Sequence, residues 1–208
     1  MVRPGLRSFA WVGLILLLCS AVLAGCAGVG PGPGKQRAEG GDMFTVEEGA
    51  SIDSGARADF EAAMVLLEAE EYERGVQLLE SVVKRAPKAI APYVNLAIAY
   101  IKLDKPDIAE GRLQQALAIN PRHPVANNEY GMLLRKEGRF SEAKGFYEKA
   151  LEAYPDFHPA RKNLGILCDL YMNDPHCALS NYEAYAQAVP ADETVQLWIV
   201  DLKRRVGD

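Results

Sequence analysis

The sequence lacks the motifs on which most enzymes depend. It has no glycine-rich phosphate loop, no G-x-S-x-G nucleophile elbow, no H-E-x-x-H motif and no C-x-x-C pair. Its tyrosines and alanines recur at positions that a helical packing pattern requires, and its acidic residues fall mostly on solvent-facing helix sides. The sequence therefore predicts a protein that is not an enzyme and that uses no cofactor.

Basic residues are also scarce. The chain carries 23 Lys and Arg against 28 Asp and Glu, which gives a net charge of −5. Arg3 and Arg7 are the only charges before Cys26, so the remainder carries 21 basic against 28 acidic residues, or −7. No basic patch is interleaved with aromatic residues, which argues against a nucleic-acid partner.

Long apolar runs are confined to the N-terminus. Arg3 and Arg7 precede an apolar stretch from Phe9 to Leu18, and the small-residue ending Leu23-Ala24-Gly25-Cys26 follows. An uncleaved transmembrane anchor is the alternative, but the apolar run is short and ends in small residues, as a signal peptide does. We therefore predict a signal peptide over residues 1–25.

The Leu23-Ala24-Gly25-Cys26 ending resembles the lipobox of bacterial lipoproteins. The resemblance implies cleavage before Cys26 and attachment of a diacylglycerol to its thiol, with a further acyl chain on the new amino group, and two chains anchor a protein stably. In this family an aspartate after the cysteine retains the protein at the inner membrane, and here that residue is Ala27. The resemblance thus favours the periplasmic face of the outer membrane in the cell envelope.

Residues 26–55 are predicted to be a disordered tether that begins at the lipidated cysteine. Gly, Pro, Ala and polar residues dominate this stretch, and it shows no periodicity. Met43-Phe44-Thr45-Val46 is its only apolar cluster. We expect a loose loop there; docking on the folded part of the chain or on a partner is the alternative.

The remaining chain repeats one pattern. Between Ile90 and Pro121 an apolar stripe with helical spacing is followed by the turn Asp104-Lys105-Pro106-Asp107 and by a second amphipathic stretch. Pro87, Pro121 and Pro155 are each 34 residues apart, and Pro190 follows after 35, so one residue has been inserted in the last inter-helix turn. The pattern predicts pairs of short helices.

This spacing resembles the tetratricopeptide repeat, whose signature combines W-x2-L-G-x2-Y with A-x3-F and a final proline. The resemblance implies an all-α, right-handed superhelical solenoid of about four helix-turn-helix repeats over residues 56–190 and a capping helix over residues 191–208. The repeats have approximate bounds of 56–89, 90–123, 124–157 and 158–191. Asp192 is a plausible N-cap of the capping helix, Gly207 can end it, and a polar outer side is expected.

Small residues recur where the two helices of a repeat cross. They allow close helix approach, and they are Ala97, Ala109, Gly131, Ala143, Gly165 and Ala178. The first repeat has Gly75 where alanine is usual.

Two cysteines remain after the signal peptide and Cys26. Cys168 and Cys177 are predicted at facing ends of the fourth helix pair, within disulfide reach in an oxidising compartment; two reduced core cysteines are the alternative. A metal site built from Cys168, Asp174, His176 and Cys177 lacks a second spaced ligand pair, so we predict no metal. His123 and His158 precede prolines at repeat junctions and are predicted to be loop residues.

The resemblance also implies a partner-binding concave face lined by the first helix of each repeat. Placing the sequence on the repeat puts these residues there: Phe60, Met64, Val94, Asn95, Ile98, Ile101, Asn128, Met132, Lys162, Asn163 and Ile166. In some relatives a ladder of asparagines holds a peptide backbone, but Glu129 interrupts the series of Asn95 and Asn163. The carboxylate clamp of chaperone-binding relatives is absent. An apolar or amphipathic segment of a partner protein therefore fits this face better.

These features together predict a membrane-anchored periplasmic scaffold or adaptor that positions other proteins. Within that class, the alternative is a pilotin-like assembly factor for a type IV pilus or secretin. From another class, the alternative is a redox or metal protein that uses Cys168 and Cys177.

Overall fold

The computed structural model describes residues 52–207 of the chain. The predictions for the signal peptide, for Cys26 and for the apolar cluster at residues 43–46 lie outside the described residues.

Nine α-helices and no strands make up the described part of the chain. They are α1 (Ser54–Glu68), α2 (Tyr72–Arg85), α3 (Ile90–Lys102), α4 (Pro106–Ile119), α5 (Pro124–Lys136), α6 (Phe140–Ala153), α7 (His158–Leu170), α8 (Pro175–Ala188) and α9 (Glu193–Val206). The first eight form four consecutive hairpins, each packed on the next, and α9 packs on α8. The predicted all-α solenoid of four helix pairs and a final helix is confirmed. Helix α1 begins two residues earlier than the predicted repeat, because Asp53 caps it by accepting from the Ala56 backbone amide.

The turn inside each hairpin contains one residue in the left-handed backbone region. Glu70, Asp104, Gly138 and Asn173 have φ values of 58°, 56°, 79° and 50° and follow the 34, 34 and 35 residue spacing of the repeats. Three residues join α5 to α6, whereas four join α7 to α8, so the predicted insertion is confirmed. Glycine and asparagine accept this backbone conformation more readily than glutamate does.

Small residues bring the two helices of each hairpin together, as predicted. Ala97, Ala109, Ala143 and Ala178 are all completely buried. A Cβ atom added at Gly131 would lie 2.6 Å from Cε1 of Tyr147, and one at Gly165 would lie 2.5 Å from the Tyr182 ring. Glycine is therefore present at these two positions because an aromatic ring already fills the space.

Gly75 in the first hairpin has the same kind of explanation. A Cβ atom added there would lie 2.5 Å from Cδ2 of Leu67, the buried leucine of α1. Alanine, the residue usual at this position, would clash unless Leu67 moved. The departure from the repeat pattern at Gly75 therefore reflects packing against a larger neighbour.

The last helix covers the flank of the fourth hairpin. Val195, Ile199 and Leu202 are buried, and Trp198 is half-buried with its ring centroid 5.3 Å from that of Tyr182. Asp192 caps the helix as predicted, since it accepts from the Val195 amide at 3.2 Å.

Two further contacts of Asp192 tie the cap to the fourth hairpin. The Lys162 ammonium donates to its carboxylate at 2.7 Å and the Tyr185 hydroxyl at 3.0 Å. The hydrogen bond from Lys162 is the main reason why the pKa of Asp192 is below its usual value. One carboxylate therefore joins α7, α8 and α9.

The outer side of α9 is less polar than predicted. Leu197 is 70% exposed and Val200 is 66% exposed, on the side that no other described helix covers. Arg204 and Glu193 flank them and keep that side partly charged. Among the described helices, none has the length and apolar character needed to cross a membrane.

Candidate partner-binding groove

A cavity of about 670 Å³ opens between α3, α5 and α7, the first helices of three successive hairpins. It brings together five of the predicted groove residues: Ile98, Ile101, Asn128, Met132 and Asn163. Residues three or four positions apart lie on the same side of a helix, so Ile98 with Ile101 and Asn128 with Met132 face the cavity together. The fold thus assembles an apolar concave surface from positions that are far apart in the sequence.

Two predicted groove residues are buried and do not line the cavity. Val94 and Asn95 are each only 3% exposed, and Val94 belongs to the continuous hydrophobic core. The Asn95 amide donates to the backbone carbonyl of Ala91 at 2.9 Å, one turn earlier in the same helix. The expectation that Val94 remains exposed in the groove is therefore wrong, since neighbouring helices cover it.

Four other predicted residues do not line this cavity. Phe60, Met64 and Ile166 are half-buried and pack against the core. Lys162 instead forms an ion pair with Asp192, the N-cap of α9. Its ammonium lies 5.3 Å from the Tyr185 ring centroid and 5.8 Å from that of Trp198. Lys162 thus helps to fix the cap, which the sequence did not indicate.

The polar residues of the cavity form a short network. Nδ2 of Asn163 donates to Oδ1 of Asn128 at 2.9 Å, which joins α7 to α5. Nδ2 of Asn128 in turn donates to Oε1 of Glu129 at 3.0 Å. Asn95 is hydrogen-bonded to a carbonyl of its own helix, and Glu129 takes the place of an asparagine between Asn95 and Asn163 in the repeat register. These positions therefore do not form a ladder of asparagines that point outward.

Cationic side chains at the cavity were not predicted. Lys102, Arg135 and Lys136 line it, against one carboxylate, Glu129. Lys102 and Lys136 are 34 residues apart, so the repeat register contained the signal that they occupy equivalent positions. The Arg135 guanidinium lies 5.7 Å from the ring centroid of Tyr171, which also lines the cavity. The groove therefore combines an apolar floor with a positive rim.

Cys168 and Cys177 are joined by a disulfide bond, with their Cα atoms 5.8 Å apart. Cys168 is completely buried, and Asp174 caps α8 by accepting from the Cys177 amide at 3.0 Å. Thiol exchange needs access for an attacking thiolate, so burial protects the Cys168 sulfur, while Cys177 is half-buried. The described residues contain no cluster of three or more His, Cys, Asp or Glu side chains arranged to hold a metal.

His123 has a structural role that its position before a proline did not reveal. Its Nδ1 accepts from the Ala126 amide at 3.2 Å and so caps α5. The side chain is buried, with 4% of the residue exposed, and this burial lowers its pKa to about 4. His158, the other junction histidine, is the first residue of α7.

Comparison with known proteins matches the middle of the repeat region to a family model. Residues 94–156 match the family model of the tetratricopeptide repeat. Over 105 residues the chain is 29% identical to the probable UDP-N-acetylglucosamine–peptide N-acetylglucosaminyltransferase SPINDLY of Solanum lycopersicum, a match that covers 50% of this chain and 11% of that protein. The chain thus spans about a tenth of the length of the curated relatives it matches.

Solved structures share the fold at low sequence identity. A structure of Pseudomonas aeruginosa PilF superposes with a TM-score of 0.67 at 23% identity and covers 72% of this chain and 68% of that one. The first TPR of Spaghetti (RPAP3), bound to an HSP90 peptide, has a TM-score of 0.53 at 24% identity and covers 57% of this chain and 94% of that one. Residues 94–156 therefore carry tetratricopeptide repeats, and the described part of the chain has the all-α superhelical fold of tetratricopeptide proteins.

Proposed function

We propose that this chain is a lipid-anchored adaptor of the bacterial cell envelope that binds a segment of a partner protein in its concave groove. The observation that carries the proposal is the cavity between α3, α5 and α7. A surface of half-buried apolar residues that is open to solvent usually marks an interaction site. The peptide-bound TPR of Spaghetti (RPAP3) shows that a protein of this fold can hold a peptide.

The chemistry of the groove indicates the kind of segment that it binds. Ile98, Ile101 and Met132 offer apolar contact area, and Lys102 and Lys136 are exposed at the rim. An amphipathic segment with a few apolar anchors and acidic flanking residues is complementary to both features.

The location of the adaptor rests on the sequence before the repeats. The positive start, the apolar stretch and Leu23-Ala24-Gly25-Cys26 support export and lipid attachment at Cys26. Ala27 after the cysteine favours the periplasmic face of the outer membrane. The tether would then let the groove reach partners roughly 30 Å from the anchor point.

Replacement of two groove residues tests the binding role. Ile98→Asp with Met132→Asp places two carboxylates on the apolar floor while leaving the buried Val94 intact. Proteins captured by the wild-type chain through crosslinking in its native cell should be lost with this variant. Helical content by circular dichroism should stay near wild type, because both side chains are only half-buried.

A matched control places the same two charges elsewhere. Val65→Asp with Ile108→Asp changes apolar residues that are already exposed and lie outside the cavity. This control should capture the same proteins as the wild type. If the groove variant folds and captures them equally well, binding lies outside the groove and the proposal fails.

A pilotin-like factor for assembly of a type IV pilus or secretin is a second candidate within the same class. It is favoured by the predicted lipid anchor together with the fold shared with PilF, although at 23% identity that likeness concerns the fold alone. Deletion of the gene would separate the two candidates. Loss of surface pili or of secretin multimers on a native gel supports the assembly role, and intact pili and multimers exclude it.

A further inference from the structure

The rim of the groove carries positive charges that the folded repeats do not neutralise. Lys102 and Lys136 are both exposed, and neither has an ion-pair partner within residues 52–207. The third cation, Arg135, lies over the Tyr171 ring. Since the chain as a whole has a net charge of −5, this small positive rim stands out.

The chain itself contains a segment with the complementary pattern. Between Arg37 and residue 52, every charged residue is acidic: Glu39, Asp42, Glu47 and Glu48. The cluster Met43-Phe44-Thr45-Val46 lies between Asp42 and Glu47 and supplies the only large apolar side chains between Arg37 and Ile52. Apolar anchors flanked by carboxylates are the ligand class that the groove geometry favours.

The length of chain available permits this contact. Met43 precedes Asp53, the cap of α1, by ten positions, and an extended chain of ten residues reaches at most roughly 33–36 Å. Packed helices lie about 8–10 Å apart, so α5 is on the order of 20 Å from α1 across the intervening α3. The intervening chain is therefore long enough for residues 43–46 to span the distance to α5 and for Glu47 and Glu48 to span the shorter distance to α3.

We propose that residues 42–48 occupy the groove of their own chain and that a partner segment must displace them. The inference rests on the proposed function, because it assigns the groove a first, intramolecular ligand. A tethered ligand acts at an effective concentration in the millimolar range. The segment thus limits access to the groove and selects partners whose acidic, apolar-faced segments bind more tightly than the chain's own.

Photocrosslinking tests the proposal on the purified full chain. Met132 is replaced by benzoylphenylalanine, which puts a photoreactive group on the cavity floor. Trypsin releases residues 38–57 and residues 123–135 as separate peptides. Irradiation should join these two peptides within a product of monomer mass. The same group at Glu152, which is exposed on α6 outside the cavity, should not yield this product.

A charge reversal in the segment provides the second arm. In Glu47→Lys with Glu48→Lys, trypsin releases the apolar cluster within residues 38–47, and the yield of this peptide joined to residues 123–135 should be about tenfold lower than the wild-type yield, which corresponds to ~1.4 kcal/mol of lost affinity. Absence of the joined peptides in the wild type overturns the inference, as does a product of dimer mass only, which would indicate a second copy. If the photoreactive group at position 132 crosslinks in cells only to other proteins, residues 42–48 are not a ligand of the groove. The proposal that the groove binds a partner protein is then still supported.

Discussion

Pairs of facing residues set how closely the two helices of each hairpin approach. The third hairpin pairs Gly131 with Tyr147, whereas the second has Ala97 and Leu113 at the positions 34 residues earlier. Gly131 is buried beside the Tyr147 ring, and Ala97 and Leu113 are both completely buried. The family pattern is therefore maintained by the combined size of a pair rather than by either residue alone.

The first prediction concerns Gly131→Ala. The added Cβ would lie 2.6 Å from Cε1 of Tyr147, whose ring is completely buried and cannot move aside freely. Overpacking of this kind costs about 1–3 kcal/mol, and the better helix propensity of alanine recovers ~1 kcal/mol of that. Urea unfolding should therefore show a net loss of up to about 2 kcal/mol.

Gly145→Ala is the control, since nothing lies within 4 Å of the Cβ that it adds to α6. It should stabilise the protein by up to ~1 kcal/mol. In a Tyr147→Leu background, which recreates the pair of the second hairpin, Gly131→Ala should become neutral or favourable. Equal effects of the two glycine replacements in the wild type would show that the hairpin adjusts without strain.

His123 supplies a pH-dependent prediction. Its pKa of about 4 in the folded chain lies below the ~6.5 of an unfolded histidine. The unfolded state therefore binds a proton first as the pH falls, and the free energy of unfolding decreases between about pH 6.5 and pH 4. Integration of that linkage gives a loss of about 2 kcal/mol at pH 5 relative to pH 7.

Asparagine at this position keeps the capping function without a titrating group. The stability advantage of the wild type over His123→Asn should therefore shrink by about 2 kcal/mol between pH 7 and pH 5, as measured by denaturant unfolding at each pH. A constant difference between the two proteins would mean that His123 is protonated in both states or in neither.

Residue-level predictions from the sequence succeeded for packing and failed for exposure. The repeat register located the small residues of the helix crossings, because their spacing is a direct consequence of helix geometry. It placed Val94 in the groove, yet Val94 is buried, since exposure depends on how tightly the neighbouring hairpins stack. The repeat register also puts Lys102 and Lys136 at equivalent positions. Only the packed structure shows that both line the same cavity.

At the scale of elements, the fourth hairpin differs from the others in its longer turn and its disulfide. The turn of residues 171–174 carries Tyr171, which lines the cavity, and Asp174, which caps α8. The bond between Cys168 and Cys177 closes this turn covalently. Helix existence, order and the inserted residue were all predictable, because they follow from periodicity and from proline spacing.

We predict that protein isolated from its own compartment contains the bond between Cys168 and Cys177. Chymotrypsin cleaves after Tyr171, between the two cysteines, so digestion without reductant should give two peptides linked through sulfur. A loop of about ten residues contributes roughly 2–3 kcal/mol in the chain-entropy model. Reduction should therefore lower the free energy of unfolding by that amount, and two alkylated thiols before reduction would contradict the prediction.

At the scale of the whole molecule, the groove depends on the order in which hairpins stack. No single helix contains it, because its lining comes from α3, α5 and α7 and from the turn after α7. Asp192 and Lys162 hold the capping helix on the fourth hairpin and so fix the end of this stack. The sequence could predict that the first helices of successive hairpins line one side of the solenoid, but the volume and charge of the cavity required the packed structure.

The last prediction concerns the anchor that would hold this solenoid at a membrane. Leu23-Ala24-Gly25-Cys26 after an apolar stretch is the motivating feature, and it lies outside the described residues. Growth with a labelled fatty acid should label the wild-type chain, and Cys26→Ala should abolish the label and accumulate the uncleaved precursor, because the thiol that receives the lipid is gone. Cys19→Ala, which changes a cysteine inside the predicted signal peptide, should keep both label and processing. A wild-type chain whose N-terminal peptide is intact and unmodified by mass spectrometry would exclude lipid anchoring, and the adaptor would then work from solution.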